Sequence, residues 1–324
     1  MNFSALIIPV YLLMLWQIMP DDEPVRQKPL KILVISDLNS AYGSVTYSPD
    51  VLKVISKIDS IKPDLILCGG DMVAGQKATL TADQTSDMWT AFKAQILDPI
   101  HRRGVPFGFT IGNHDGSPGF LQDRNLARQF WEGERTSTRL NFVDGSHYPF
   151  YYSFEQNGVF FISWDAAGAA IKADVYDWMQ GQLQSASARK ARMRIVLGHL
   201  PLYAIVADKN KPGEVNEDPA RALRFFKEHD VDMYISGHQH AYFPATKEGV
   251  ELFNAGAIGE GPRALLGDAD GPIKTYSILQ IPVRNPRRFT YTTVDPATGK
   301  SIVLSDLPLS ISGFNGSIDR IPIR

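Results

Sequence analysis

Short apolar runs alternate with longer amphipathic ones along most of this chain. Residues 32–35, 65–68, 107–111, 195–197 and 233–236 are apolar, of strand length, and bounded by glycine or polar clusters. Between them, apolar residues recur every three or four positions. Val51, Val54, Ile55 and Ile58 predict a helix over 49–60, and Trp89, Phe92, Ile96 and Ile100 predict another over 85–102. Further helices are predicted around 120–131, 174–188 and 219–229. Residues 151–154 and 159–164 flank Glu155-Gln156-Asn157-Gly158, whose Asn-Gly pair predicts a hairpin. From Gly249 onward only strands are evident, at 251–254, 275–281, 288–294 and 301–304, with a turn at 296–299. Alternating strands and helices with embedded hairpins predict an α/β (α+β) chain of stacked sheets flanked by helices.

Each of the first five strand-like runs ends on chemistry-bearing residues. Ser36-Asp37-Leu38-Asn39, Gly69-Gly70-Asp71, Gly112-Asn113-His114-Asp115, Gly198-His199 and Gly237-His238-Gln239-His240 follow them in order. Taken singly, each has an ordinary explanation, because Asp and Asn favour turns and caps. Together they offer carboxylates, an amide and imidazoles at the carboxyl ends of strands, where open α/β sheets bind ligands. That donor set suits hard or borderline divalent ions. The adjacent glycines permit the tight turns that bring backbone close to an ion. Cys68, the only cysteine, ends an apolar strand and reads as an inert buried thiol, so neither a disulfide framework nor a thiolate metal cluster is available.

At 324 residues and 44% hydrophobic, the chain can bury the core of one large domain or two small ones. A net charge of −2 without long single-sign runs argues against a nucleic-acid partner. Residues 5–16 form an uninterrupted apolar run, short for a spanning helix, so residues 1–19 are expected to be a signal peptide or membrane anchor. Residues 20–30 read as a linker, 31–305 as the main folded domain and 306–324 as a C-terminal extension. The expected location is therefore exported (periplasmic or extracellular) or membrane-anchored.

On the blocks Gly70-Asp71, Gly112-Asn113-His114-Asp115, Gly198-His199 and Gly237-His238-Gln239-His240, the chain resembles the calcineurin-like metallophosphoesterase superfamily. The blocks stand in the family's order between residues 36 and 240. The resemblance implies a four-layer double β-sandwich flanked by helices, two divalent metal ions (Mn, Fe, Zn or Mg), and hydrolysis of a phosphoester or phosphoanhydride. The substrate would be a phosphorylated small molecule or lipid. Carried over by motif, Asp37 and His240 bind the first metal, Asp71 bridges, and Asn113, His199 and His238 complete the second. A metal-bridging hydroxide would attack phosphorus in line. His114 would protonate the leaving oxygen, with Asp115 orienting its ring and Asn113 also touching the phosphoryl group. Arg263, in the glycine-rich stretch 259–263, is a candidate phosphate clamp.

One block departs from the family. Its usual Asp-x-His is here Asp37-Leu38-Asn39, which leaves three readings open. Asn39 serves as a neutral oxygen ligand, Tyr42 or Tyr47 replaces the missing donor, or the site is loosened to effectively one metal. The departure is also the only support for a rival reading, a catalytically silent scaffold or binding protein that keeps the fold. Three residues after Asp71, where purple acid phosphatases carry a tyrosine, stands Ala74, which argues against a ferric-tyrosinate centre. Substrate choice is expected to lie in the loops 40–47, 116–125 and 205–218. Arg124 and Arg128 read as a solvated helix face, Asp165 as a supporting carboxylate or a simple turn, and His147 as a cleft-lining or surface residue.

Overall fold

A computed structural model describes residues 28–267 and 271–322; the predicted leader at 1–19 lies outside the described residues. Among the described residues, no helix is long and apolar enough to cross a membrane. The strands in chain order are β1 (Leu30–Ile35), β2 (Leu65–Cys68), β3 (Phe107–Phe109), β4 (Asn141–His147), β5 (Tyr151–Gln156), β6 (Val159–Ser163), β7 (Met193–Leu197), β8 (Met233–Ser236), β9 (Tyr242–Lys247), β10 (Val250–Ala255), β11 (Tyr276–Ile281), β12 (Thr290–Val294), β13 (Ser310–Gly313) and β14 (Gly316–Arg320). They form a five-stranded sheet ordered β12-β11-β1-β2-β3 and a nine-stranded sheet ordered β13-β14-β9-β10-β8-β7-β6-β5-β4.

The period of two along each strand decides what each face buries. In β6, Val159 and Phe161 enter the core shared by the two sheets, whereas Phe160 and Ile162 enter a second core. That second core packs against helices Ala173–Leu183 and Pro219–Glu228 through Val175, Met179, Leu223 and Phe226. Helices Pro49–Ser56 and Ala82–Phe92 supply Val51, Val54, Trp89 and Phe92 to the core around the five-stranded sheet. Two large sheets flanked by helices result, as expected. Tyr152 of β5 ties the sheets together: its hydroxyl donates to the Phe109 carbonyl at 2.6 Å and accepts from the Phe109 amide at 2.9 Å.

Within each sheet, β1, β2 and β3 run parallel, as do β6, β7 and β8. Parallel strands align their carboxyl ends on one edge, so all five polar blocks fall at two neighbouring rims.

The predicted helix over 85–102 is three pieces: Ala82–Phe92, a π-turn Lys93–Leu97 and Asp98–Arg102. Pro99 lacks the N–H that a continuous α ladder needs, and the π-turn absorbs the mismatch. At the start, Thr81 and Gln84 cap each other reciprocally. The predicted strand at 301–304 reduces to a single bridge, Ser301 to Val294, followed by a 3-10 turn at Leu304–Asp306. β4, β9, β13 and β14 were not anticipated. β4 is an exposed polar edge, and Pro244 lies inside β9. The segment 306–324, read from sequence as an extension, carries β13 and β14, which form the outer edge of the nine-stranded sheet through β14 and β9. Ile311 and Ile318 are buried there beside Tyr203, Ile205 and Val206.

Trp131 is fully buried and stacks on Phe109 with ring centroids 3.8 Å apart. Trp131→Ala should therefore lower unfolding stability by ~3–5 kcal/mol. Urea denaturation checks this, and a loss under about 1 kcal/mol would contradict the packing described.

Candidate metal centre

The rims of the two sheets meet over Asp37 and Asp71. Asp37, Asp71, His238 and His240 all take left-handed backbone conformations, with φ of 52°, 55°, 65° and 52°. Non-glycine residues pay for that geometry, and it persists where the surroundings over-determine it. Here all four residues stand in the turns just beyond strand ends. Neighbouring glycines make room: a Cβ on Gly112 would lie 2.2 Å from Asp71 Oδ1, and one on Gly237 would lie 2.1 Å from Ser36 Oγ and 2.6 Å from Asp37 Oδ2.

Two groups of donors could hold metal ions. Asp71, His199 and His238 form one, Asp37, Asp71 and His240 the other, each with ligand atoms within 4.8 Å of one another. Asp71 belongs to both. Asn113 adds its amide oxygen, 2.9 Å from His199 Nε2 and 2.8 Å from His238 Nδ1.

Every histidine here has one ring nitrogen held from behind. His199 Nδ1 pairs with the Gly69 carbonyl at 2.7 Å, His240 Nδ1 with Gly261 at 2.9 Å, and His114 Nδ1 with Gly75 at 3.0 Å. His238 Nε2 pairs with Glu214 Oε2 at 2.8 Å. The other nitrogen of each points inward: His199 Nε2 lies 3.2 Å from Asp71, His240 Nε2 3.2 Å from Asp37 and His114 Nε2 4.0 Å from Asp71. A carbonyl or carboxylate behind the ring fixes tautomer and aim, the usual arrangement around ligating histidines.

The electrostatics call for cations. Burial opposes charge on Asp71, yet the His199 and His114 rings override it and hold the carboxyl well below the ordinary carboxylate range. Asp37 is likewise lowered, burial being outweighed by His240. Burial works against protonation of His199, but Asp71 overcomes it and pushes the ring up to about 9. His238 goes down to about 3, because burial disfavours its charged form and Lys209 and His199 add repulsion. Positive charge on His199 thus offsets part of the charge of two carboxylates that the fold has taken out of water.

Oxygen and imidazole donors thus gather around one shared carboxylate, in groups that could hold metal ions. The chain belongs to the calcineurin-like phosphoesterase family, whose pattern matches residues 30–242. It is 23% identical over 223 residues to purple acid phosphatase 22 of Arabidopsis thaliana, covering 68% of this chain and 46% of that protein. It is 21% identical over 243 residues to phosphoenolpyruvate phosphatase of Allium cepa, covering 74% and 46%. The chain thus spans about half the length of these curated relatives. Among solved structures it resembles GAP50, the anchor in the inner membrane complex of Plasmodium, with a TM-score of 0.56 at 15% identity, covering 86% of this chain and 88% of that one. That likeness concerns the fold alone.

The structure brings Asp37, Asp71, Asn113, His114, His199, His238 and His240 together. Asp115 is placed otherwise than expected. Its oxygens accept from the backbone N–H of Met72 (2.7 Å), Val73 (3.0 Å) and Gly112 (2.8 Å), so it staples the second and third loops together, and Gly75 orients the His114 ring instead. Arg263 is also placed differently: its Nε donates to Asp208 at 2.7 Å, which neutralises it at the edge of the site. Asn39 is buried, with its backbone tied to Asp71 and Glu260, and its side chain makes no hydrogen bond among the described residues. Of the two tyrosines, the hydroxyl of the half-buried Tyr47 donates to the Met72 carbonyl at 2.8 Å, and the exposed Tyr42 ring packs on His114 at 5.1 Å.

Arg124 is not a free helix face. It pairs with Asp165, donates to the Gly116 carbonyl and lies over the Phe150 ring. With Arg128 and His147 it lines a separate cavity of about 320 Å³.

Sequence reading missed Gln76, Lys209 and Glu214. The Gln76 side chain accepts from the Asn113 amide, while Lys209 and Glu214 reach His238 from the loop before helix Pro219–Glu228. Gln76 sits five residues after Asp71 on left-handed backbone, but no motif marks the loop pair. Asp115→Ala would leave three buried amides without acceptors at ~1–3 kcal/mol each. A fall of several kcal/mol in unfolding free energy is therefore expected. Unchanged stability with lost activity would instead return Asp115 to a chemical role.

Proposed function

We propose that this protein is a metal-dependent phosphohydrolase, cleaving a phosphoester or phosphoanhydride at the rim where the two sheets meet. The observation that carries the reading is the pair of three-residue donor groups sharing Asp71. Asp37 and His240 would hold one divalent ion and His199, His238 and Asn113 another, with Asp71 common to both. Bound ions supply a water-derived nucleophile near neutral pH and neutralise charge on phosphoryl oxygens.

The chain's own residues set the rest. Glu214 would keep His238 Nδ1 turned toward Asn113 and the ions. Gly75 holds His114 by Nδ1, leaving Nε2 to carry the proton that the leaving oxygen takes up. The His114 side chain is 19% exposed, so a leaving group can reach it. The unpartnered, buried side chain of Asn39 supports the first of its three readings, a neutral oxygen donor beside Asp37. Ala74 leaves no tyrosinate for a ferric ion, which favours divalent Mn, Fe, Zn or Mg.

The activities named for the relatives support a phosphorylated small molecule as substrate. The apolar run at 5–16 supports export or membrane anchoring and keeps a phosphorylated lipid within the reading.

Mn²⁺-loaded protein should hydrolyse p-nitrophenyl phosphate, and His114→Asn should lower kcat by ~10²–10⁴ while metal content stays at the wild-type level. Metal-replete protein that is inert on monoester, diester and pyrophosphate panels would sink the proposal. Chelation should also lower the melting temperature, since ions at a hundredfold over Kd contribute ~2.7 kcal/mol. A melting temperature indifferent to EDTA would count against an ion-binding centre.

A further inference from the structure

The loop 198–218 runs from His199 at the end of β7 to helix Pro219–Glu228, and it is fastened from both sides. Gln239, fully buried between His238 and His240, accepts through Oε1 from the amides of Ile205 (3.1 Å) and Val206 (3.2 Å). Its Nε2 donates to the Glu214 carbonyl at 3.1 Å. From the outer side, Asn315 in the β13–β14 turn donates to the Leu202 carbonyl at 2.8 Å and accepts from the Ala204 amide at 3.2 Å. Asn210 Oδ1 accepts from the Phe314 amide at 2.7 Å. A loop so pinned is a fixed wall of the site.

That wall carries a cation inward. Lys209 Nζ lies 3.3 Å from both ring nitrogens of His238 and 3.7 Å from Glu214 Oε2, with its side chain only 13% exposed. Next door, Asp208 takes up the charge of Arg263. Glu214 Oε2, the carboxylate partner of Lys209 at 3.7 Å, is shared with His238 Nε2 at 2.8 Å, so it offsets only part of the positive charge that Lys209 and a bound divalent ion would bring together, and an added anion would be favoured there. The anion that such a site receives is the phosphoryl group. We propose that Lys209 is the phosphoryl-binding cation of this site and that it selects a terminal phosphate, a monoester dianion, over the singly charged phosphodiester. The proposal rests on the phosphohydrolase reading and specifies its substrate class.

The test is calorimetric binding of inorganic phosphate to Mn²⁺-loaded wild type, Lys209→Met and Lys209→Arg, with metal content measured on each. The methionine variant keeps the length and apolar stem of the side chain but not its charge. Its phosphate Kd is expected to rise about ten- to hundredfold, as for loss of a charge-assisted hydrogen bond, with wild-type metal content. Arginine should restore most of the affinity. The kcat/KM preference for p-nitrophenyl phosphate over bis-p-nitrophenyl phosphate should shrink by a similar factor in the methionine variant. Phosphate affinity within twofold of wild type would overturn the proposal, as would a parallel loss of bound metal. If wild type binds phosphate through Lys209 yet hydrolyses no phosphoester, the hydrolase reading fails and the binding role of Lys209 stands.

Discussion

Everything at this site depends on two carboxylates that the fold has removed from water. Asp37 and Asp71 are buried at the edge where the two sheets meet, each on left-handed backbone, and each against an inward-facing histidine nitrogen. Buried like charges are tolerated only with counter-charge and hydrogen bonds close by. The surrounding architecture supplies both. Ser36 and the His238 amide donate to Asp37, and the His114 amide donates to Asp71. Glycines at 112 and 237 give the space, and carbonyls behind the rings give the aim. Remove the need to gather positive charge between these two groups, and the strained turns around them lose their reason.

The parallel strands solve a placement problem that loops alone solve poorly. Each candidate donor stands only two to four residues beyond a buried strand end, which leaves its turn little freedom. Rigid strands fix where each turn starts, and the turn fixes where the side chain points. The remaining freedom, rotation of the imidazoles, is removed by the Gly69, Gly261 and Gly75 carbonyls and by Glu214.

Much of this could be read from the sequence because the signal was local. A polar block directly after an apolar run, led by glycine in four of five cases, is visible without any knowledge of the fold, and Asp37, Asp71, Asn113, His114, His199, His238 and His240 all lie in such blocks. What stayed hidden depended on distant partners. Asp115 looked like a support for its neighbour His114, but its acceptor capacity is spent on amides more than forty positions away, at Met72 and Val73. Arg263 looked like a free cation because Asp208 is 55 residues earlier in the chain. Lys209 and Glu214 sit in a segment with no periodicity, and contacts with distant residues such as Gln239 and Asn315 hold that segment in place. β4 and the β13–β14 hairpin escaped notice for a related reason: they are short or polar edge strands, whose alternation is too weak to separate from loop.

The division of the donors between two sheets also bears on how the molecule is made. Asp37, Asp71 and Asn113 follow strands of the smaller sheet, while His199, His238 and His240 follow strands of the larger one. Neither half has enough donors to capture an ion firmly, and some two hundred residues separate the first donor from the last. The two donor groups that share Asp71 are complete only where both sheets are in place, so binding of an ion there would be linked to the docking of the sheets.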